Sequence, residues 1–322
     1  MKKIVACLVL ITTLTGCVEE YDLNIAEMPP RIVVDGFISN EAEPYYIRLT
    51  ESHNGKIYPS DNYWKDNLKA VKDALVIISD NVNQIDTLVL IDNLEDYEYD
   101  WNLYMYYKPV YDDFGNAVDT IWWSDPVDFS FDKGYYKTTT LVGIPGRTYS
   151  LKIIYKGEEY RAEAYMPPVP DIDSVGYIMQ ELKPGVKNYF PTVYFSEPQE
   201  TKDYYLIQQR YGEYWANDMT TFLYTSSILS DEFLKPYIDG LAIGTLGWYG
   251  HSDTIMYYVR LSSLTKEGYL FYKAIMQQYE SDGGTFQPAP ASPPTNISNG
   301  GLGFFRASAV SEKSGIMMPL VD

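Results

Sequence analysis

Few side chains in this sequence could do covalent chemistry. Its 322 residues include two histidines, His53 and His251, and two cysteines, Cys7 and Cys17. His251-Ser252-Asp253 sets the three residue types of a hydrolytic triad side by side. Neighbours on an extended strand point to opposite faces, so that run cannot converge by itself. Two histidines without zinc-ligand spacing give no His-rich metal site. Acids are plentiful, 44 Asp and Glu against 25 Lys and Arg. Paired carboxylates can hydrolyse glycosides, but no spacing here selects a pair. Oxygen-rich turns at Asp80-Asn81…Asn83…Asp86 and Asp112-Asp113…Asn116…Asp119 could offer calcium ligands. Both lack the central glycine and terminal glutamate of an EF-hand loop. Gly240 and Gly244 stand outside any phosphate-cradling context. The expectation is no catalytic residue, no assigned metal site and no cofactor.

Cys17 differs, because what precedes it prescribes a reaction. Lys2 and Lys3 are followed by an apolar run from Ile4 to Leu14 and then Thr15-Gly16-Cys17. As a helix the run would be ~16 Å long, about half a bilayer core, which suits an export signal rather than a membrane span. The stretch Leu14-Thr15-Gly16-Cys17 resembles a bacterial lipobox. That resemblance implies removal of residues 1–16 and acylation of the Cys17 sulfur with a palmitate-like chain. The alternative is a secretory signal cut nearby, with Cys17 incidental. Several acyl chains make attachment durable, since one chain alone holds only marginally. Cys7 leaves with the signal, so the folded part carries no free thiol. Disulfides, thiolate metal sites and cysteine nucleophiles are thereby excluded.

The formal charge of −19 disfavours nucleic acid and anionic membrane surfaces as partners. The 32 Tyr, 6 Trp and 12 Phe suit strand filling or a recognition surface, and composition alone does not choose between them.

The elements that must position these groups read mostly as strands. Residues 17–30 form an acidic tether ending in two prolines, and its acids resemble a surface-export signal of Bacteroidota lipoproteins. Strand candidates follow at Arg31–Ile38, Tyr45–Leu49, Ala74–Ile78, Thr87–Ile91, Thr148–Ile154 and Glu159–Tyr165. They are short, β-branched or aromatic, and separated by turn residues such as Pro145-Gly146 and Lys156-Gly157. This predicts an Ig-like or transthyretin-like β-sandwich over 31–166, the latter by the resemblance of Leu141-Val-Gly-Ile-Pro-Gly146 and the Tyr149 strand to such domains. An acidic, aromatic insertion spans 92–136. Within it Tyr97, Tyr99, Trp101, Tyr106, Tyr107, Trp122 and Trp123 are candidate ligand or partner contacts. The same residues would serve equally as packed side chains of a long hairpin extending the sheet.

Met166-Pro-Pro-Val-Pro170 cannot sit inside a sheet and marks a linker at 167–173. A second β-rich domain is expected over 174–322, including Thr192–Phe195, Tyr204–Arg210, Asp253–Leu261 and a last strand Leu302–Val310. Between these, Tyr272, Ile275, Met276 and Tyr279 share one face of an amphipathic helix at about 265–280. Thr265 is its N-cap and Gly283-Gly284 its stop.

The tail Phe286…Pro288…Asn296-Ile297…Asn299-Gly300…Gly303-Phe304-Phe305 resembles the C-terminal signature of a Bacteroidota outer-membrane lipoprotein family, domain of unknown function 4249. Val33-Val34-Asp35-Gly36, Pro167-Pro168-Val169-Pro170, Asp173-Ser174-Val175 and Tyr204-Tyr205 agree in order. The resemblance implies a lipoprotein held in the outer membrane, facing the cell exterior and commonly encoded beside a TonB-dependent transporter. It brings no catalytic residues. The expected function is a non-catalytic accessory or ligand-capture partner of such a transporter, attached to the membrane through Cys17. The alternatives are a free-standing adhesin or glycan-binding module and, last, a carboxylate-based hydrolase.

Overall fold

A computed structural model describes residues 29–42, 44–52, 69–91, 106–111, 117–123, 134–183, 186–211, 226–243, 255–280 and 292–317. In chain order the strands are β1 (Ile32–Ser39), β2 (Tyr46–Glu51), β3 (Lys69–Ala70), β4 (Leu75–Asp80), β5 (Ile85–Thr87), β6 (Val89–Leu90), β7 (Tyr106–Tyr111), β8 (Ala117–Trp123), β9 (Tyr135–Lys137) and β10 (Thr148–Tyr155). They continue as β11 (Glu158–Tyr165), β12 (Ile172–Lys183), β13 (Val186–Ser196), β14 (Tyr204–Tyr211), β15 (Ser226–Ser230), β16 (Tyr237–Ala242), β17 (Ile255–Leu264), β18 (Leu302–Ser308) and β19 (Val310–Met317). One α-helix, α1 (Lys266–Glu280), lies among the described residues. The protein is mainly β, as the residue types require.

The first sandwich faces a sheet ordered β18-β1-β2-β9-β6, with β3 beside β2, against a sheet ordered β11-β10-β4-β5. Strict alternation along β10 sends Tyr149, Leu151, Ile153 and Tyr155 inward. They meet Ile32, Val34, Ile38, Ile47 and Leu49 from the opposite sheet in one core. The second sandwich pairs β12-β13-β16 with β15-β14-β17-β19. Its core holds Val193, Phe195, Tyr205, Ile207, Tyr257, Val259 and Leu261. The extended segment Met166–Asp171 runs between β11 and β12. Both sandwiches belong to one compact unit.

The end of the chain departs from the sequence reading. Leu302–Ser308, expected to complete the second domain, lies parallel to β1 in the first sandwich. The chain then turns at Ala309, and β19 runs antiparallel to β17 in the second. One continuous segment thus serves both sandwiches. A parallel pair needs a long crossover, and the chain from β2 to α1, through the rest of the first sandwich and most of the second, supplies it.

This pairing gives the sequence signature a structural meaning. Val34, Asp35 and Gly36 are the register partners of Gly303, Phe304 and Phe305. Gly303 has φ +87, and a Cβ there would lie 2.0 Å from the Val34 carbonyl oxygen, so only glycine permits this approach. Phe305 is fully buried in the first core. Phe304 points to the other face and stacks on Phe271 of α1 at 4.8 Å. Asn296 imitates a strand: its side chain accepts from Phe305 N–H (2.9 Å) and donates to the Phe305 carbonyl (2.7 Å).

Helix α1 begins at Thr265, whose hydroxyl accepts from Gly268 N–H at 3.2 Å. Tyr269 tilts against Tyr204 of β14. Tyr272, Ile275 and Met276 are half-buried; the side chain of Tyr279 and residues 283–284 lie outside the described residues.

Candidate functional site

Cys17, Tyr97, Tyr99 and Trp101 lie outside the described residues, as do His53, His251, Ser252 and Asp253. Within the insertion, β7 and β8 form a two-stranded antiparallel hairpin. Its register sets Tyr106 opposite Trp123 and Tyr107 opposite Trp122. The four strand-borne candidates therefore occupy two consecutive cross-strand positions.

In the first candidate calcium turn, both acids are engaged by protein donors. One Asp80 oxygen accepts from the N–H groups of Val82 (3.0 Å) and Gln84 (2.8 Å). The other takes Arg147 Nη1 at 2.7 Å. Burial works to raise this carboxyl, but those donors hold it below its ordinary value. Asp86 points elsewhere and caps the loop after β9. It accepts from the N–H groups of Thr139, Thr140 and Leu141 and from the Thr139 hydroxyl, at 2.7–2.9 Å. These acids close a hairpin and a loop, and they point to different partners rather than to one another. The second turn, at 112–119, lies mainly outside the described residues.

A different set of carboxylates does converge. Glu197 follows the last residue of β13, Asp203 precedes β14, and Asp231 opens a 3-10 turn, Asp231–Phe233, after β15. Pairing of β14 with β15 brings Tyr204 opposite Ser230, which sets Asp203 beside Asp231. Two bonds extend that ladder: Asp231 N–H to the Asp203 carbonyl (3.0 Å) and Asp203 N–H to Asp231 Oδ2 (2.8 Å). Glu197 is anchored by its own N–H to the Pro236 carbonyl at 2.9 Å. Tyr205, inward on β14 and edge-on to Phe195, donates its hydroxyl to Glu197 Oε1 at 3.1 Å.

One carboxylate oxygen of each acid lies within 4.8 Å of the corresponding oxygens of the other two. Glu197 is only 4% exposed, and its Oε2 is buried without a hydrogen-bond partner. Burial, and then the charges of Asp203 and Asp231, push the Glu197 carboxyl up to about 7. Burial and the neighbouring Glu197 likewise drive the Tyr205 hydroxyl far above its ordinary range. The sequence reading missed this cluster. Strands β14 and β15 lie between Asp203 and Asp231, and each acid alone looks like a turn acid. A usable signal was Asp203-Tyr204-Tyr205, an acid at the mouth of a strand whose second tyrosine points inward.

A second feature lies under α1. Phe304, Arg306, Asn296, Glu163, Tyr165 and Gly268 help to line an open cleft of about 260 Å³. The Arg306 guanidinium lies 3.9 Å from the Phe37 ring and 5.4 Å from the Tyr272 ring. Its Nε and Nη1 are buried without hydrogen-bond acceptors. No helix among the described residues is long and apolar enough to cross a membrane.

Comparison with known proteins adds family membership. No curated protein matches the chain. A family described as "Domain of unknown function (DUF4249)" matches residues 18–314, nearly the whole length and both sandwiches. The chain belongs to the DUF4249 family.

Proposed function

We propose that this chain is a Bacteroidota outer-membrane lipoprotein, acylated at Cys17, that acts as a non-catalytic accessory of a TonB-dependent transporter. Its β-rich body would sit on the outer face of the barrel and help to capture a ligand. The observation that carries the reading is the adjacency of two sequence features. A lipobox-like stretch ends at Cys17, and the family match starts at residue 18. On this reading the matched region would begin directly after the point of attachment. An acidic tether up to residue 30 would give that body reach.

The test has two parts. Globomycin should make the unprocessed precursor accumulate, and gentle detergent extraction should bring down a transporter with the protein, above the level seen with a control lipoprotein. Normal processing in the drug, with the protein in the soluble fraction, would remove the anchor. An intact anchor with no transporter enriched would remove the partnership.

A second reading, a free-standing glycan-binding module, draws support from the register of the β7–β8 hairpin, where two Tyr–Trp pairs follow one another. Cross-strand aromatic pairs are the residue types that stack on sugar faces, and successive positions on a hairpin would present one pair to each face. Glycan-array binding that survives deletion of the transporter would favour this reading. Loss of that binding in the Trp122→Ala, Trp123→Ala double variant would locate it.

A further inference from the structure

We propose that Glu197, Asp203 and Asp231 form a divalent-cation site, with calcium as the fitting ion, that ties the end of β13 to the starts of β14 and the 3-10 turn after β15.

Three observations carry it. The first is geometry. Oxygen ligands around calcium lie at ~2.3–2.6 Å, so any two of them are separated by no more than about twice that distance. The three carboxylate oxygens here fall within 4.8 Å of one another, which leaves room for one ion among them. The second is how the carboxylates are held. Glu197 Oε1 is fixed by Tyr205, Asp203 Oδ2 by the Thr201 hydroxyl, and Asp231 Oδ2 by Asp203 N–H. A donor thus orients one oxygen of each acid, the arrangement that supporting residues give to metal ligands. The third is an unbalanced charge. Among the described residues no Lys or Arg pairs with any of the three acids, although one of them is almost wholly buried and keeps Oε2 without a partner. A buried carboxylate oxygen with neither donor nor counter-charge costs several kcal/mol, on the order of the desolvation penalty of an ion. An ion at the centre removes that cost.

The donor set selects the ion. Carboxylate oxygens alone, with no imidazole or thiolate among the three ligands, suit hard cations and not zinc or copper. Calcium tolerates irregular geometry and completes its shell with water. Magnesium demands a near-octahedral set at shorter distances. Turn and strand-end ligands of this kind fit the first better.

The experiment uses the purified full chain, stripped with chelator and then freed of it. Calcium or magnesium chloride is titrated in by calorimetry, and thermal unfolding is followed in parallel. The expected result is one calcium per chain and a rise in Tm with calcium, with magnesium binding more weakly. In Glu197→Gln the calcium affinity should fall by no less than the ~10–100-fold that even outer-shell changes cost. The ion-free variant should melt at or above the ion-free wild type, because a buried charge has gone. That opposite sign separates loss of a ligand from general damage. Should Glu197→Gln fail to fold, Asp231→Asn, at a half-exposed position, carries the same test. No calcium uptake by the wild type, or equal uptake by the wild type and both variants, overturns the proposal.

Discussion

Ser263 of β17 and Ala309, the residue between β18 and β19, bond to each other in both directions. Ser263 N–H donates to the Ala309 carbonyl at 2.9 Å, and Ala309 N–H donates to Ser263 Oγ at 3.0 Å. The same hydroxyl donates to the Pro167 carbonyl at 2.6 Å. One buried serine thus ties together the linker after the first sandwich, the central strand of the second, and the point where the terminal segment passes between them. Arg260 adds a second tie, reaching Glu41 beyond β1 at 2.6 Å and Glu312 of β19 at 3.1 Å.

Replacing that hydroxyl should therefore loosen both sandwiches at once. Ser263→Ala leaves the buried Ala309 N–H, and the part-buried Pro167 carbonyl, short of a partner, a loss of about 1–3 kcal/mol. Urea unfolding should show a lower midpoint, with both halves affected and not the second alone.

Gly303→Ala should be the harsher change. The new Cβ would meet the Val34 carbonyl at 2.0 Å, in a backbone conformation L residues avoid. Strand β18 would have to move off β1, so the loss should exceed the ~1 kcal/mol typical of a point substitution. A control, Gly300→Ala, has open space around the added carbon but also sits at φ +73. It should cost only the smaller backbone strain. Equal midpoints for the two variants would show that the close approach does not matter.

Acid should weaken the first sandwich through Glu51. Hydrogen bonds from Lys156, Lys69 and Tyr155 draw its carboxyl down to about 2 from 4.5. A depressed folded-state value contributes stability that is complete above the unfolded value. It fades as pH falls from 4.5 to about 2, where the unfolded chain binds the extra proton. Denaturation midpoints measured across that window should drop more steeply for the wild type than for Glu51→Gln.

Asp86→Ala should release the loop after β9. Four hydrogen bonds end on this carboxylate, and it is 2% exposed. Burial works to raise its pKa, and the amide donors of Thr140 and Thr139 outweigh that and hold it low. The buried Leu141 N–H left unpaired should cost about 1–3 kcal/mol, and hydrogen exchange at residues 139–141 should accelerate. Protection equal to the wild type there would mean the loop is held by something else.

Much of this architecture was legible. Runs such as Thr148-Tyr-Ser-Leu-Lys-Ile-Ile154 announce a half-buried strand by alternation alone, and Thr265 announces a helix start through its capping hydroxyl. Both signals are local. The pairing of Val34 with Gly303 is not, because nothing in either stretch specifies a partner so far along the chain. The tail motif was visible as a pattern, but its meaning as strand, close backbone approach and core plug emerges only beside β1. The acid cluster failed for the same reason. Asp203 and Asp231 look like ordinary strand-end acids until the β14–β15 ladder brings them together. Sequence instead drew the eye to Asp80 and Asp86 as possible calcium ligands without assigning a site there, and their dense spacing reflects capping of backbone and Arg147.

The place of β18 beside β1 also governs when folding can finish. At ~5–20 residues per second, a ribosome needs roughly 10–50 s between delivering Ser39 and delivering Leu302. Throughout that interval one flank of β1 lacks its neighbour, and its amides have nothing to bind but water or another molecule. Nascent chains arrested short of Leu302 should accordingly be digested by protease where completed ones resist. The β1–β18 clasp can close only once Leu302–Ser308 has been made.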